Sequence, residues 1–211
     1  STPALSWGNV MEDAASDIVS SSKAKKTEDK KKTAEPAVYE VKGKAIVGEK
    51  INTPAFVKIV DKMADIIIEN EVPFCDADKM GDGDFGMSIA KELKKEWKTR
   101  NKINIGAFLR SCAEIIMEYC GGASGPIWGS AFRYAGKQAA DKSEITLKDL
   151  ADIMQAANTG VYETGKASFG KGAVVGDKTL VDALKPCADA LTAEAGKGTK
   201  MFDALVIGAS E

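Results

Sequence analysis

Four aspartates lie close together in one short stretch, Asp76, Asp78, Asp82 and Asp84, with three glycines among and just beyond them. Ionised carboxylates at 4 Å repel each other by roughly 4 kcal/mol per pair at an effective dielectric of about 20, so a cation among them would be stabilising. Ligands that are all oxygen favour Mg²⁺, Ca²⁺ or Mn²⁺. A calcium EF-hand fits poorly, because the twelfth position counted from Asp76 is Met87 rather than glutamate. The stretch therefore indicates either a site for a hard cation or a solvated acidic loop.

Two further segments, residues 121–126 and 165–179, are rich in glycine and polar residues. In the first, backbone N–H groups and the Ser124 hydroxyl can cradle a phosphate. The alternative is that its glycines end one helix and Pro126 begins the next. In the second, Gly176-Asp-Lys-Thr179 resembles a phosphate loop only loosely, because the spacing GxxxxGK[ST] is absent. Each segment alone is a weak indication of a binding site.

Composition excludes several classes of function. The chain has no histidine among its 211 residues, so it contains no phosphohistidine, no histidine general base and no Ser-His-Asp triad. Its four cysteines show no CxxC spacing, which argues against a zinc site. A net charge of -2 gives no electrostatic basis for binding nucleic acid or an acidic membrane. No apolar run approaches the roughly 18 residues of a membrane span, so we expect a cytoplasmic protein with neither partner.

The chain divides into two parts by composition. Residues 1–50 are rich in lysine and serine and have few large apolar side chains, which predicts a flexible linker. From residue 51 onward, apolar residues recur every three or four positions, which predicts amphipathic helices and no strand. The predicted helices cover residues 54–70, 85–98, 105–119, 127–140, 146–164, 180–195 and 199–209. This pattern predicts an all-α fold, either a bundle or an antiparallel helical barrel.

The helices also predict where the three glycine-rich segments meet. In an up-and-down arrangement, alternate connections lie at the same end, and residues 75–88, 120–126 and 165–179 follow the first, third and fifth helices. We therefore expect them to form one site. The helix that begins after Asp84 would direct its free N–H groups and the positive end of its dipole toward a bound phosphate. Thr146 and Asp149 have the spacing of a capping box, and Phe108, Ile116 and Met117 are expected to face inward.

Taken together, three motifs resemble those of the nucleotide-binding domain of the dihydroxyacetone kinases, which is the L subunit or C-terminal domain of that family. They are Gly81-Asp-Gly-Asp-Phe-Gly86, Gly122-Ala-Ser-Gly-Pro126 and Gly176-Asp-Lys-Thr-Leu-Val-Asp-Ala-Leu184. The resemblance runs from about residue 53 to the end of the chain. It implies that residues 51–211 are an eight-helix antiparallel barrel with ATP or ADP and two Mg²⁺ ions at one end. Residues 1–50 would then be a linker that follows a substrate-binding K domain.

The resemblance also implies roles for individual residues. Asp82 and Asp84 would be metal ligands, and the family's third aspartate falls at Ala77, so Asp78 is the preferred third ligand and Asp76 the second choice. The nucleotide would contact eight residues: Phe85, Gly86, Met87 and Ser88 at phosphate or ribose, Ala123 and Ser124 at phosphate, and Gly165 and Leu180 on the adenine side. Phe85 stands where the family often has histidine, which weakens a polar role at that position.

The function implied by the resemblance is phosphoryl transfer from ATP to a hydroxyl of dihydroxyacetone or glyceraldehyde. The K domain, in cis or in trans, would be the partner that holds the triose, and a homodimer is a further expectation. Three alternatives stay open: an ADP-cofactor subunit of a kinase that depends on the phosphotransferase system, a non-catalytic nucleotide-binding domain, and a fatty-acid kinase domain.

Because the family continues beyond Glu211, the barrel is expected to be incomplete and the chain inactive without its K domain. Six apolar residues would then lack a neighbouring helix: Phe56, Ile59, Met63, Phe202, Leu205 and Val206.

Overall fold

The computed structural model describes residues 41–77, 86–177 and 179–211, and these ranges contain eight helices and one small sheet. The helices are α1 (Thr53–Glu69), α2 (Glu71–Ala77), α3 (Met87–Lys95), α4 (Ile105–Tyr119), α5 (Ser124–Ala139), α6 (Leu147–Phe169), α7 (Val181–Lys197) and α8 (Met201–Ser210). The sheet pairs β1 (Lys50–Asn52) with β2 (Glu144–Thr146). The predicted all-α class is confirmed. None of the helices in these ranges is long and apolar enough to cross a membrane.

The small sheet corrects the expectation of no strand. β1 and β2 are antiparallel, with Ile51 opposite Ile145, and both of these side chains are buried. Each strand has only three residues, which is too short for the alternation of apolar and polar residues to be recognised in the sequence. The sheet fastens the start of α1 to the start of α6.

Polar side chains define the starts of three long helices. Asn52 Oδ1 accepts a hydrogen bond from the Ala55 N–H at the start of α1, and Asn104 does the same for Ala107 in α4. At the start of α6, Thr146 and Asp149 form the predicted capping box. These residues satisfy N–H groups that have no partner inside the helix, which is why each helix begins where it does.

Contacts between side chains show that α1 and α3 run in opposite directions. Lys94, near the end of α3, pairs with Asp61 in the middle of α1 at 2.7 Å. Lys91, one turn earlier in α3, pairs with Glu71 just beyond the end of α1 at 2.8 Å. Because α2 follows α1 directly, the described residues on both sides of the acidic segment lie at the end of the molecule toward which α1 runs.

Helices α4 to α7 also run in alternating directions. A Cβ built on Gly106, at the start of α4, would lie 1.7 Å from the carbonyl oxygen of Ala140, which follows the end of α5. Thr164, near the end of α6, donates to Ser130 near the start of α5 at 2.6 Å. Gln155 of α6 donates to Asp189 of α7 at 2.8 Å. The starts of α3, α5 and α7 therefore lie at one end, where the sequence predicts that the three glycine-rich segments meet.

Aromatic and aliphatic side chains form the core between these helices. Phe108 of α4 is fully buried, and its ring makes edge contacts with Phe56 of α1 and Trp97, each with centroids 6.3 Å apart. The Arg100 guanidinium is also buried and stacks on Trp97, with 3.6 Å from its carbon to the ring centroid. The contact between Phe56 and Phe108 also shows that α1 and α4 begin at the same end.

Several predicted helix bounds differ from the observed ones. Residues 71–77 are helical, although the sequence places part of them in the acidic loop. Helix α5 begins at Ser124 rather than at residue 127, so Pro126 lies in its first turn. Helix α6 continues to Phe169, which places Gly165 in a helix rather than in a loop. Glycine lowers helix propensity, but packing of the whole helix against its neighbours outweighs this local cost.

The chain before residue 51 also contributes to the fold. Val41 and Ala45 pack against the hydrophobic core, and Val47 forms an isolated bridge with Ile51. The boundary at residues 50 and 51 stays a prediction, since residues 1–40 lie outside the described ranges.

The exposed fractions of the apolar side chains can be compared with the predictions for individual residues. Phe108 and Ile116 face inward as predicted, but Met117 is 40% exposed, which corrects that prediction. Of the six residues expected to lack a neighbour, Ile59, Met63, Phe202 and Val206 are exposed. Phe56 contradicts the expectation, because it packs against Phe108, and Leu205 is partly buried against the core.

Candidate functional site

A cavity of about 480 Å³ lies where the start of α5, the end of α6 and the start of α7 meet. Its walls are Ser124, Ile127, Trp128, Val161, Gly165, Lys171, Ala173, Asp177, Thr179 and Leu180. Two of the three glycine-rich segments contribute to these walls. Because successive helices run in alternating directions, both segments join helices at the same end of the molecule.

The start of α5 supplies hydrogen-bond donors to this cavity. Ala123 is the N-cap residue, and no side chain caps the helix there. The N–H groups of the first turn of a helix have no intrahelical acceptor, and the positive end of the helix dipole adds to their attraction for an anion. Ser124, in that turn, lines the cavity. An anionic group in the cavity would therefore meet both backbone and hydroxyl donors.

Close packing explains why glycine is needed beside Ser124. A Cβ on Gly125 would lie 2.1 Å from the carbonyl oxygen of Cys120, at the end of α4. A Cβ on Gly129, one turn later, would lie 2.4 Å from Cγ of Met117. Gly122 has φ of +66°, a left-handed conformation that glycine adopts at little cost. These glycines let α5 approach α4 closely, and that approach positions Ser124.

The end of α6 forms the second wall. Val161 and Gly165 lie one helical turn apart on the side that faces the cavity. The hydrogen bond from Thr164 to Ser130 ties this turn to α5. A Cβ on Gly160 would lie 2.6 Å from the Ser130 carbonyl oxygen, so a small residue is required at that contact too. The distance between the two walls is thus determined by direct packing of α5 on α6.

The loop between α6 and α7 forms the third wall. Gly170 ends α6 with φ of +77°, and Gly172 lies so close to the Tyr162 ring that a Cβ would be 2.2 Å from it. Further along, the Asp182 carboxylate accepts hydrogen bonds from the N–H groups of Gly176 at 2.5 Å and Thr179 at 2.7 Å. At the start of α7 itself, the Val181 and Asp182 N–H groups donate to Thr179 Oγ1 and to the Thr179 carbonyl oxygen. At the start of α5, by contrast, no side chain caps the helix.

The walls combine apolar and polar side chains. Ile127, Trp128, Val161 and Leu180 present apolar surface, whereas Ser124, Lys171, Asp177 and Thr179 are polar or charged. A mostly apolar pocket with a few placed polar groups is typical of a small-molecule site. The combination fits a ligand with one flat apolar part and one anionic part.

Three of the predicted nucleotide residues, Ser124, Gly165 and Leu180, are brought together in this cavity, and Ala123 adjoins it. Other predicted contacts lie at the start of α3. There Gly86 is the N-cap residue with φ of +76°.

Of the two residues that follow Gly86, Met87 is buried and Ser88 is exposed. Among the described residues, these three are not part of the cavity walls. The roles predicted for them stay predictions.

The predicted metal ligands cannot be placed in the same way. Asp78, Asp82 and Asp84, together with Phe85, lie outside the described residues. Asp76, the second choice for the third ligand, is exposed near the end of α2. Within the described ranges, no group of three or more acidic, cysteine or histidine residues is arranged to hold a metal ion. The magnesium site therefore stays a prediction from the sequence.

Several residues of the cavity have no role in the predictions from the sequence. Trp128 lies in the helix predicted over residues 127–140, and the apolar periodicity of that helix gives no sign that Trp128 borders a ligand site. Asp177 and Thr179 lie within a quoted motif but received no role. Val161 and Lys171 carry no local signal at all. Only the packing of α5 against α6 and α7 shows that these side chains border the same space.

A larger cavity of about 730 Å³ lies at the opposite end, between the starts of α1 and α4 and the end of α5. Its walls include Lys42, Lys44 and Lys102 together with Pro54 and Ile103. None of the three motifs contributes to it. Size alone does not identify a functional site, so the smaller cavity, where motif residues converge, is the candidate.

Several known proteins are similar to this chain. A family model described as the DAK2 domain matches residues 79–211, which is more than half of the chain. The ADP-binding subunit of PEP-dependent dihydroxyacetone kinase 1 from Listeria innocua is 31% identical over 130 residues, which cover 60% of this chain and 62% of that protein. L-erythrulose kinase from Pectobacterium atrosepticum is 32% identical over 146 residues, which cover 66% of this chain and 24% of that protein.

A solved structure is also similar. It is the crystal structure of the dihydroxyacetone kinase from Citrobacter freundii in complex with AMP-PNP and Mg²⁺. The TM-score is 0.54 at 25% sequence identity, and the match covers 84% of this chain and 31% of that one. The chain thus spans about three fifths of the length of the Listeria subunit and about a quarter of the L-erythrulose kinase.

Proposed function

The chain belongs to the DAK2 domain family, and from this premise we propose that it is the nucleotide-binding domain of a kinase that phosphorylates dihydroxyacetone or a similar short ketose or triose. The observation that carries the proposal is the cavity in which Ser124, Gly165 and Leu180 meet. These three residues come from separate segments of the chain. Their convergence supports a shared ligand better than any single motif does.

The cavity suits the two chemically different parts of ATP or ADP. The apolar surface of Trp128 and Leu180 would accept the adenine ring, and the start of α5 would accept phosphate through Ser124 and the first-turn N–H groups. Asp78, Asp82 and Asp84 are the proposed ligands that would hold Mg²⁺, which would neutralise the negative charge of the phosphate groups. Such a site contributes to phosphoryl transfer through positioning and electrostatics.

The acceptor substrate would come from a partner. The relatives that match are named as a subunit of a dihydroxyacetone kinase, as L-erythrulose kinase and as dihydroxyacetone kinase, and the chain covers only part of each. We therefore propose a separate substrate-binding domain, in cis or in trans, that presents the acceptor hydroxyl to the nucleotide. On this proposal the chain alone has no kinase activity, and it gains activity when that domain is supplied.

A second candidate function is that of an ADP-binding subunit which keeps its nucleotide between turnovers. The similarity to the PEP-dependent Listeria subunit favours it. The two candidates differ in how firmly the nucleotide is held. ADP that co-purifies with the chain and fails to exchange with added ATP would support the subunit, whereas fast exchange would support a kinase that uses ATP directly.

The metal site is tested by changing its proposed ligands one at a time. We expect Asp82→Ala and Asp84→Ala to abolish the Mg²⁺-dependent part of ATP binding, because the remaining carboxylates cannot hold the ion. Isothermal titration calorimetry with and without Mg²⁺ measures this, and a thermal melt checks the fold. Asp76→Ala and Asp78→Ala are the matched pair that identifies the third ligand. Wild-type affinity in both Asp82→Ala and Asp84→Ala would contradict the proposed site.

A further inference from the structure

We infer that Asp182 is a positioning residue that holds the loop between α6 and α7 in the shape required for nucleotide binding. The inference rests on the proposed function, because the loop forms one wall of the cavity proposed for the nucleotide. Asp182 itself is not among the residues that line the cavity. Its effect on a ligand would therefore pass through the loop.

The geometry at Asp182 is that of a clamp. One carboxylate oxygen accepts from the Gly176 N–H at 2.5 Å, and the other accepts from the Thr179 N–H at 2.7 Å. Hydrogen bonds to an ionised acceptor are about twice as strong as those between neutral groups. The two bonds join both ends of the span 176–179 to the first turn of α7. Asp177 and Thr179, which line the cavity, lie within this span.

Residues 174–177 have few contacts that would keep this shape without Asp182. Thr179 is held in addition by the Val181 N–H, which donates to its Oγ1 at 3.3 Å, and by the Asp182 N–H, which donates to its carbonyl oxygen at 3.0 Å. Val174 and Val175 are each more than half exposed, so they contribute little burial. Gly176 has φ of +103° and no side chain to pack. A nearby turn joins Asp177 N–H to the Val174 carbonyl oxygen at 3.1 Å, but it lies on the far side of Gly176 from α7. Segments with few buried contacts open at low free-energy cost, so polar anchors decide their conformation.

Loss of the two hydrogen bonds to Asp182 should weaken the contacts of the loop with a ligand but not those of α5. The loop and Leu180 form one wall of the cavity, whereas the first turn of α5, the proposed phosphate site, is held by its own packing on α4. A ligand that uses the whole cavity would lose contacts when the loop moves. A ligand that contains only phosphate would keep its contacts with α5. ADP and inorganic pyrophosphate are therefore a suitable pair of probes.

The test compares the full chain with three variants. Asp182→Asn keeps the size but removes the charge and one acceptor, Asp182→Glu keeps the charge, and Asp189→Asn is the control on the same helix, with partners outside the loop. Affinities for Mg²⁺-ADP and Mg²⁺-pyrophosphate are measured by calorimetry. Hydrogen exchange reports on the amides of Gly176 and Thr179.

For Asp182→Asn we expect about tenfold weaker ADP binding, as for loss of a hydrogen bond to a charged group, with pyrophosphate binding unchanged. Exchange at Gly176 and Thr179 should become faster. Asp182→Glu should recover part of the ADP affinity, and Asp189→Asn should match the wild type. Unchanged ADP affinity, or equal losses for ADP and pyrophosphate, would overturn the inference. If the wild type binds no ADP, the proposed function is wrong. If amide exchange at Gly176 and Thr179 is unchanged in Asp182→Asn, the inference that Asp182 holds the loop is wrong, whatever the ADP affinity of the wild type.

Discussion

At the scale of single residues, Ser124 could serve the start of a helix or donate a hydrogen bond to a phosphate. The structure separates these roles, because Ala123 is the N-cap residue and no side chain caps α5. The Ser124 hydroxyl instead borders the cavity. Its removal should therefore affect a bound ligand more than the helix.

We expect Ser124→Ala to weaken Mg²⁺-ATP binding by about 1.5 to 3 kcal/mol, the range for a hydrogen bond to a charged group. The melting temperature should change little. Calorimetry and a thermal melt of the same preparation measure both quantities. Ser168→Ala is the matched control, because Ser168 is exposed near the end of α6 and does not line the cavity. A lower melting temperature with unchanged affinity would show that Ser124 serves the helix instead.

At the scale of elements, the start of α6 is stabilised both by its own capping box and by a contact with Lys142, which lies between α5 and β2. Asp149 accepts from the Thr146 N–H at 2.9 Å and from Lys142 Nζ at 2.9 Å. Burial acts to raise the pKa of Asp149, but the Thr146 N–H and the Lys142 ammonium outweigh it and lower this pKa. A pKa lowered by folding means that the ionised form stabilises the native state above the pKa of the unfolded chain. This stabilisation is lost as the pH falls through the folded-state pKa.

Asp149→Asn should therefore lower the free energy of unfolding by about 1 kcal/mol at neutral pH, a typical value for a helix cap. The difference from the wild type should shrink toward zero in acid, where Asp149 is protonated. Urea unfolding at several pH values measures this. Asp152→Asn is the control one turn later, because its exposed pair with Lys148 is worth little. A difference that is independent of pH would mean that the carboxylate charge is not responsible.

At the scale of the whole molecule, α1 and α8 carry exposed apolar residues, four of them at positions that the sequence predicts to lack a neighbouring helix. Ile59, Met63 and Ile66 follow the spacing of one helical stripe, and Met63 is 57% exposed. On α8, Phe202 is 70% exposed and Val206 lies one turn further on. Apolar surface of this kind marks an interaction surface or a risk of aggregation.

We expect the 211-residue chain to self-associate as its concentration rises. The double variant Met63→Lys, Phe202→Lys should be more monomeric, because each change places a charge at an exposed apolar position of α1 or α8. Sedimentation velocity over a range of concentrations measures the effect. Ile103→Lys is the control, since Ile103 is equally exposed but lies outside α1 and α8. A wild-type chain that stays monomeric throughout, or an equal effect of Ile103→Lys, would contradict the role assigned to these two helices.

The sequence by itself determined the helical class, the order of the main helices and the meeting of two of the three glycine-rich segments at one end. Apolar spacing and a helix cap such as Thr146 are local properties, so they can be recognised without knowing the fold. The residues expected at phosphate and adenine followed from motifs, and Ser124, Gly165 and Leu180 do line one cavity.

Only the tertiary structure decided which other side chains share that cavity and what holds its walls. Trp128, Val161 and Lys171 meet there because α5 and α6 pack closely through Gly125, Gly129 and Gly160, contacts between residues far apart in the chain. The exposure of Met117, the burial of Phe56 and the pairing of β1 with β2 depend on the same long-range packing. Periodicity indicates that a residue belongs to an apolar face, but neighbouring helices decide whether that face is covered.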